Sequence, residues 1–515
     1  MPMPAATTHA AAIAGPPLPM LHSLELTPFV DELPLPQLAA PVGVQRVRIA
    51  MREIRAKVHR DVPPTRMWSY GPTALAPLIE ARSHRPLQVE WVNHLPQKHF
   101  LPIDYTLHGC GHDLPDVRAV VHMHGARAAT KDDGYPDDWC VPGQSRTCHY
   151  SLDQNATALW YHDHAMGINR LNIYAGLIGV MIIRDDEENA LHLPSGPYEI
   201  PLTLYDRNFS ADGQLYYPTS GDPEHPWVPE FAGDATLING KIRPYVEVEP
   251  RLYRFRILNG ANSRFFALSL SQRQPFHQIG SDQGLLSAPV RMTYLNLAPA
   301  ERADLLIDFS PAAGQQVHLL NGALEILQFR VKDRPLAPPR TQSADGVASS
   351  AIPNIPSTLV RADRVPESAA MLTRRITLDE QLDGVGNSML MVLNRKRWHE
   401  PVTERPKLNT TEIWEFVNLT EDTHPMHLHL VRFQILDRRT FDVFAYRNGK
   451  GLRYLAPPIV PESNELGWKD TVQCPPGIIT RIIVRFEGYT GKYLYHCHIL
   501  EHESNDMMRP FEVIA

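Results

Sequence analysis

Apolar and polar residues alternate in three stretches of the chain that share one pattern. Residues 87–93 (LQVEWVN), 253–259 (YRFRILN) and 412–418 (EIWEFVN) all alternate and all end in an aliphatic residue followed by asparagine. A period of two predicts β-strands with one buried face, and long stretches of helical periodicity are scarce. The chain is therefore predicted to contain three related, strand-rich units.

A second repeated pattern distinguishes the two outer units from the middle one. Residues 160–164 (WYHDH) correspond by pattern to residues 494–498 (LYHCH), whereas the middle unit offers residues 305–309 (LLIDF), which contain no histidine. We expect the outer units to carry the ligating side chains. The middle unit is expected to set the spacing between the two outer units and to shape part of a substrate cleft.

Domain boundaries are predicted at charged or proline-rich linkers such as residues 184–188 (RDDEE). They divide the chain into a flexible leader, residues 1–25, and three domains, residues 26–185, 186–365 and 366–515. Proline accounts for 47 of the 515 residues, about twice its usual share. This composition favours short strands with irregular connections, as in all-β sandwich domains.

Charge and hydropathy limit the partners that the chain can have. Its net charge is −7 and it contains no basic run, which argues against nucleic acid as a partner. No apolar stretch reaches 18 residues, so no membrane span is predicted. The first twenty-odd residues lack the basic and apolar segments of a secretory signal. We therefore expect a cytoplasmic or coat-associated protein rather than a periplasmic one, and a monomer.

The candidate chemistry lies in four clusters of histidine. They are His122 and His124; His162 and His164; His424, His427 and His429; and His496, Cys497 and His498, which His502 and Met507 follow. On a strand, residues two apart point to the same face, so each His-x-His pair shares a face and the cysteine points away. Imidazole, thiolate and a weak thioether form the ligand set of a blue-copper electron-transfer site. One such pair has ordinary explanations, but four clusters favour a metal centre.

The four clusters, in this order, resemble the signature of the multicopper oxidases. Further stretches resemble the bacterial spore-coat laccase branch of that family, which is similar also to bilirubin oxidase and phenoxazinone synthase; they are residues 101–104, 133–136, 160–166, 248–256, 394–399 and 467–470. The resemblance runs from about Leu26 to the C-terminus. It implies three cupredoxin-like Greek-key β-sandwich domains and four copper ions.

The resemblance also implies how the ligands are divided among the coppers. The type 1 copper would be held by His424, Cys497, His502 and the weak axial ligand Met507; the type 2 copper by His122 and His427; and the two type 3 coppers by His124, His162, His164, His429, His496 and His498. The trinuclear cluster would then lie between the first and third domains. Electrons would pass from Cys497 to the cluster through His496 and His498.

Three acidic residues near these ligands have predicted roles. Asp133 and Glu503 match positions that similar enzymes use for relaying protons, although ordinary hydrogen bonding to the ligands is an equal alternative. Asp163, which lies between two ligands and points to the opposite strand face, is expected to be structural.

Substrate electrons are expected to enter near His502, the type 1 ligand that faces solvent in similar enzymes. The resemblance implies O2 as acceptor and small aromatic reductants, namely phenols, aminophenols and aromatic amines. Laccase activity is favoured over bilirubin oxidase or phenoxazinone-synthase-like activity. A cuprous-ion oxidase is disfavoured because no Met-rich insertion precedes the type 1 site, and Met389 and Met391 are interpreted as strand residues.

Two alternatives from another class use fewer ligands. A copper electron-transfer protein without oxidase activity would need only the type 1 residues and would leave eight histidines unexplained. A copper nitrite reductase would need a type 1 and a type 2 site but no type 3 pair. The number of bound copper ions separates these alternatives from an oxidase.

Four cysteines remain once Cys497 is assigned to copper. Cys140 and Cys148 flank a short loop and either form a disulfide or remain free thiols. Some similar enzymes tie a loop on the substrate side with a disulfide. No cysteine lies between Cys148 and Cys474, and Ala232 occupies the comparable stretch, so the lid over the substrate is expected to be shorter or looser.

Overall fold

A computed structural model describes residues 19–40, 43–335, 355–384, 386 and 388–515. The described residues form six β-sheets, arranged as three successive pairs, with short helices in the connections. The predicted all-β fold class is confirmed. Among the described residues, no helix is both long enough and apolar enough to cross a membrane.

The first pair of sheets is built from eight strands. They are β1 (Arg46–Ala56), β2 (Thr65–Ser69), β3 (Ile79–Arg82), β4 (Leu87–His94), β5 (Val121–His124), β6 (Ser145–Tyr150), β7 (Thr157–Asp163) and β8 (Ile178–Arg184). The sheet orders are β2-β1-β4-β6 and β3-β8-β7-β5. Helix α1 (Asn169–Ala175) lies between β7 and β8, and α2 (Asp186–Ala190) follows β8.

The second pair of sheets is the largest. Its strands are β9 (Glu199–Phe209), β10 (Leu215–Tyr216), β11 (Ala235–Ile238), β12 (Lys241–Ile242), β13 (Tyr245–Val248), β14 (Leu252–Asn259), β15 (Phe266–Leu270), β16 (Phe276–Ser281), β17 (Gly284–Met292), β18 (Leu295–Leu297), β19 (Arg302–Asp308), β20 (Gln316–Asn321) and β21 (Leu324–Val331). One sheet has the order β12-β11-β9-β14-β19-β16-β17, with β10 paired to β9, and the other β13-β21-β20-β15-β18.

The third pair of sheets completes the chain. Its elements are β22 (Leu372–Leu382), β23 (Ser388–Leu393), β24 (Thr411–Asn418), β25 (His424–Leu428), β26 (Phe433–Thr440), α3 (Val443–Arg447), β27 (Thr471–Cys474), β28 (Ile478–Arg485), β29 (Gly491–Cys497), α4 (Leu500–Ser504) and β30 (Met508–Val513). The sheet orders are β23-β22-β24-β28-β26 and β27-β25-β29-β30. Met389 and Met391 lie on β23, as predicted.

The three repeated sequence patterns occupy the same place in each pair of sheets. Strands β4, β14 and β24 pair in parallel with β1, β9 and β22 respectively. The asparagine that ends each pattern is buried, and its side-chain oxygen accepts a hydrogen bond from the backbone N–H two residues later, at Leu95, Ala261 and Thr420. This local bond turns the chain out of the strand, which explains the repeated asparagine.

The N-terminal segment contacts the middle pair of sheets. Residues 1–18 of the leader lie outside the described residues. Ser23, also assigned to the leader, donates to Asp234 from both its backbone N–H (2.6 Å) and its hydroxyl (3.0 Å). Leu33, assigned to the first domain, is buried in the hydrophobic core of the second pair of sheets.

Cys140 and Cys148, whose pairing was left open, are both free thiols in the structure.

Candidate metal centre

Strand register brings the four histidine clusters together. β5 pairs with β7 so that His122 lies opposite His162, and β25 pairs with β29 so that His427 lies opposite His496. The two imidazoles of each His-x-His pair have ring centroids 5.0–5.8 Å apart, so both point to the same face. Every one of the eight side chains is at most 1% exposed.

Imidazole nitrogens from the first and third domains converge on one space. His496 Nε2 lies 3.3 Å from His164 Nε2 and 3.2 Å from His429 Nε2. The rings of His122 and His429 stack at 3.8 Å, and those of His124 and His427 stack at 3.6 Å. Neither domain alone supplies this arrangement, because the His164–His496, His122–His429 and His124–His427 contacts each join a histidine of the first domain to one of the third.

Several of these buried nitrogens have no hydrogen-bond partner among the described residues. They are His122 Nε2, His124 Nδ1, His162 Nε2, His164 Nδ1, His427 Nε2 and both ring nitrogens of His498. Buried polar atoms are almost always satisfied in native proteins, so this concentration of unpaired acceptors requires an explanation. A set of neutral imidazoles with converging lone pairs fits coordination of copper or a similar transition metal.

In several of these histidines the other ring nitrogen, Nδ1, is hydrogen-bonded to a backbone carbonyl. Nδ1 of His122 donates to the Asp133 carbonyl (2.6 Å), Nδ1 of His427 to that of Asp470 (2.8 Å), and Nδ1 of His496 to that of Cys497 (3.0 Å). A carbonyl only accepts, so Nδ1 carries the proton and the Nε2 lone pair is left to face the converging space. Such outer contacts fix the tautomer and direction of metal-binding histidines.

Burial also keeps the imidazoles of His122, His427 and His498 neutral. It lowers the pKa of His122 to about 3, and together with neighbouring imidazoles it holds the pKa of His427 and His498 well below the ordinary value. These histidines therefore present lone pairs at neutral pH, which is the state that binds a metal.

A second donor set lies inside the third domain. Cys497 Sγ is 3.5 Å from His424 Nδ1 and 3.8 Å from His502 Nδ1, and the two Nδ1 atoms are 3.3 Å apart. Met507 is fully buried, and its carbonyl accepts the Cys497 N–H at 3.0 Å. Two imidazoles and one thiol at this spacing match the trigonal part of a blue-copper site. Burial raises the pKa of the Cys497 thiol well above its ordinary value, so metal binding would displace its proton.

The expectation that His502 faces solvent is wrong for this structure. His502 is 0% exposed, and its Nε2 atom has no hydrogen-bond partner among the described residues. The reason is the position of α4, which carries His502 and is covered by residues of the middle domain such as Trp227, whose indole N–H donates to the Glu501 carbonyl (3.0 Å).

The three predicted acidic residues all lie beside the histidines. Asp133 Oδ2 is 2.7 Å from His429 Nδ1, and burial raises the pKa of Asp133 well above its ordinary value. Glu503 Oε2 is 3.3 Å from His496 Nδ1. Asp163 accepts the backbone N–H groups of Val120 (2.9 Å) and Ala165 (3.2 Å), as a structural residue does.

Sequence reasoning missed two buried charged residues next to the histidines. Asp470 Oδ1 lies 3.0 Å from His124 Nε2, and Arg302 of the middle domain donates to that carboxylate at 2.7 Å. Burial alone would raise the pKa of Asp470, but the Arg302 guanidinium outweighs it, so the net pKa lies below the ordinary value. Asp470 belongs to the stretch 467–470 that carried the resemblance, yet no local pattern indicates its partner 168 residues away.

Trp160 is a further residue that the sequence reasoning left without a role. Its ring stacks on His162 with centroids 4.0 Å apart. It thereby closes one side of the histidine cluster with an apolar surface.

Comparison with known proteins relates the chain to copper enzymes. Two models of the multicopper oxidase family match residues 53–188 and 370–515. A laccase of Bacillus subtilis (strain 168) is 43% identical over 95% of this chain and 99% of its own length. A laccase of Haloferax volcanii is 39% identical over 95% of this chain and 85% of its own length.

Solved structures show the same relationship. The crystal structure of a laccase from Pediococcus acidilactici has a TM-score of 0.75 and 28% identity, and the match covers 94% of each chain. The McoA multicopper oxidase of the hyperthermophile Aquifex aeolicus has a TM-score of 0.76 and 28% identity, with 94% of this chain and 99% of that chain covered.

Proposed function

Because this chain belongs to the multicopper oxidase family, we propose that it acts as a laccase on phenols, aminophenols and aromatic amines. As a family member it is a copper-dependent oxidoreductase that uses O2 as electron acceptor. The proposed substrate class rests on the laccases at 39–43% identity and on the principle that outer-sphere electron transfer demands little shape complementarity.

The proposed complement is four copper ions. His424, Cys497 and His502, with Met507 as weak axial ligand, would hold the type 1 ion. His122 and His427 would hold the type 2 ion, and the type 3 ions would be held by His124, His162, His164, His429, His496 and His498. Bound copper would supply one-electron redox chemistry at the first site and reduction of O2 to water at the other three.

The sequence His496-Cys497-His498 joins the donor set around Cys497 to the cluster of imidazoles directly through the backbone. Cys497 lies on one face of the end of β29, toward His424 and His502, while His496 and His498 lie on the other face among the converging imidazoles. Cys497 is joined to each of these histidines by a single peptide unit. An electron accepted at the thiolate side therefore has a continuous covalent path to the cluster side, through one peptide unit and one histidine side chain.

Asp133 and Glu503 are proposed to hold and deliver the protons that water formation consumes. Glu503 Oε1 accepts the Asn169 side-chain N–H at 2.6 Å, whereas Oε2 has no hydrogen-bond partner among the described residues and faces His496 Nδ1. A carboxylate oxygen that is free and next to the cluster is placed to carry a proton. The alternative, simple orientation of the imidazoles, uses the same contacts.

The observation that carries the proposal is the convergence of partnerless imidazole nitrogens from two domains. An electron-transfer protein would have no use for it, since the set around Cys497 is sufficient for that task. A nitrite reductase, which needs no type 3 pair, would leave most of the eight imidazoles unused.

The test is O2 uptake by the copper-loaded protein together with a count of bound copper. Reductants should include a simple phenol, an o-aminophenol, an aromatic amine, bilirubin and Cu(I). About four coppers per chain, a blue absorption band, a near-ultraviolet shoulder and fastest O2 uptake with phenols are expected. Fewer than three coppers, or no O2 uptake with any aromatic reductant, would refute the proposal; faster uptake with bilirubin or o-aminophenol would replace laccase by those activities.

A further inference from the structure

Helix α4 connects the two donor sets, yet it is only five residues long. His498 precedes it, His502 lies within it, and Met507 follows it. A helix of this length is not stable by itself in water. Its position, and with it the direction of the His502 side chain, must therefore come from contacts with the rest of the protein.

Glu501, the residue before His502, is the best-anchored side chain of α4. It is 0% exposed. Its Oε1 atom accepts hydrogen bonds from the Tyr217 hydroxyl (2.8 Å) and the Asn262 side-chain N–H (2.8 Å), and its Oε2 atom accepts one from the Ser263 hydroxyl (2.7 Å). Three donors on one buried carboxyl form a strong and direction-specific anchor.

All of these donors lie in the chain segment of the middle domain, although Tyr217 also packs in the hydrophobic core of the first pair of sheets. Tyr217 follows β10, while Asn262 and Ser263 follow β14, so two separate connections of that domain meet at Glu501. The backbone adds two bonds: Leu500 N–H donates to the Asn262 carbonyl (3.0 Å), and the Trp227 indole N–H donates to the Glu501 carbonyl (3.0 Å).

The other side of α4 is attached to the first domain. Asn169 Nδ2 donates to Glu503 Oε1 at 2.6 Å, and the Ser504 hydroxyl donates to Asn169 Oδ1 at 2.6 Å. The helix is thus held from both sides, with His502 between the two attachments and its Nδ1 atom turned toward Cys497 and His424.

We propose that Glu501 is a positioning residue through which the copper-free middle domain, by way of Tyr217, Asn262 and Ser263, fixes α4 and sets the direction of the His502 imidazole. The inference rests on the proposed function, in which His502 is a type 1 ligand. It assigns the middle domain a task at the type 1 site beyond spacing the other two domains.

The first variant changes only the middle-domain partners of Glu501, so that in this variant the third domain keeps its native sequence. Tyr217→Phe and Ser263→Ala, combined, delete two of the three side-chain hydrogen bonds to Glu501. Tyr253→Phe is the matched control, because it also removes a tyrosine hydroxyl from the middle domain. Tyr253 is buried, and its hydroxyl accepts a hydrogen bond from the Glu249 backbone N–H (3.0 Å) rather than bonding to α4. Glu501→Gln, which keeps the volume but turns one acceptor into a donor, is the second variant.

Four properties of each copper-loaded variant are compared with the wild type: the blue band, the type 1 hyperfine splitting in electron paramagnetic resonance, copper retention against a chelator, and the near-ultraviolet shoulder. Thermal unfolding of the metal-free protein shows whether each variant is folded. Mutation of the residues that orient a metal ligand through hydrogen bonds typically weakens metal affinity about 10- to 100-fold. For the double variant and for Glu501→Gln we expect about tenfold weaker retention of the type 1 copper and an altered hyperfine splitting, while the near-ultraviolet shoulder is retained. The conservative variant Ser263→Thr keeps the hydroxyl, so it should behave like the wild type.

The outcomes separate this inference from the proposed function. If the wild type shows no blue band, the proposed function fails first. If the wild type is blue and oxidises phenols but the double variant matches Tyr253→Phe in hyperfine splitting and copper retention, the positioning role is refuted. Equal weakening of the blue band and the near-ultraviolet shoulder would also refute it, because it would indicate general destabilisation.

Discussion

Replacing Arg302 by methionine should destabilise the protein strongly even without copper. Arg302 is 2% exposed and joins all three domains. Its guanidinium donates to the Asp470 carboxylate of the third domain (2.7 Å), to the Ala158 carbonyl of the first (3.1 Å) and to the Asp282 carbonyl of the middle one (2.9 Å). Methionine has a similar length but no donor, so a buried carboxylate and three carbonyls, the third being that of Ala300, each lose a donor.

The expected size of the effect follows from these losses. Removing one partner of a buried ion pair typically costs about 3–5 kcal/mol, because the other charge stays buried without compensation. Asp470 keeps hydrogen bonds from Gln283 and Thr471, which places the estimate toward the lower end, at about 3 kcal/mol. The variant's Asp470 pKa should rise, so the loss should be smaller at acidic pH, where that carboxyl becomes neutral.

Urea unfolding of the metal-free protein, followed by fluorescence, measures the change. Arg361→Met is the control, because Arg361 pairs with Asp363 at 2.9 Å while both side chains are more than 70% exposed. An exposed pair contributes less than about 1 kcal/mol. A loss below that value for Arg302→Met, or equal losses for both variants, would refute the reasoning. The double variant Arg302→Met with Asp470→Asn should recover part of the stability, since no charge is then left unpaired.

Four other outcomes are expected. Cys497→Ser should abolish the blue band and O2 uptake together, whereas Cys148→Ser, at a buried thiol in the first domain, should abolish neither. Met507→Leu should raise the type 1 potential in a redox titration, because a weak thioether ligand is removed; an unchanged or lower value would count against that ligand. Glu503→Leu should slow turnover and alter its pH profile, and an unaltered profile would exclude proton delivery by this residue. Glu199→Gln should destabilise the fold at neutral pH: Arg256 and its neighbours outweigh burial and hold the pKa of Glu199 below its ordinary value, so the difference in unfolding free energy should shrink as the pH falls below about 4.

The features that could be predicted from the sequence are those that depend on local spacing. A period of two predicted β4, β14 and β24, and the same period indicated that His122 and His124 would share a strand face. In the structure their ring centroids are 5.8 Å apart on that face. Strand geometry is set by the backbone of a few neighbouring residues, so the sequence is sufficient to infer it.

The features that could not be predicted depend on which distant segments meet. His502 was expected to face solvent but is 0% exposed, because residues about 240–280 positions earlier cover α4. Leu33 was assigned to the first domain but lies in the core of the middle one. The Arg302–Asp470 pair gave no signal either, since a single arginine and a single aspartate have no periodicity that could relate them.

These unpredicted contacts share one origin, the middle domain, which supplies none of the candidate ligands. It holds Asp470, and through it His124, by way of Arg302 and Gln283. It holds Glu501, and through it the helix of His502, by way of Tyr217, Asn262 and Ser263. Ligand sets tolerate displacements of only about 0.5 Å, and a site assembled from two domains cannot meet that limit unless the domains are fixed relative to each other. A third domain that contacts the support of both donor sets provides this constraint, so its buried polar residues matter to the metal sites although they lie outside them.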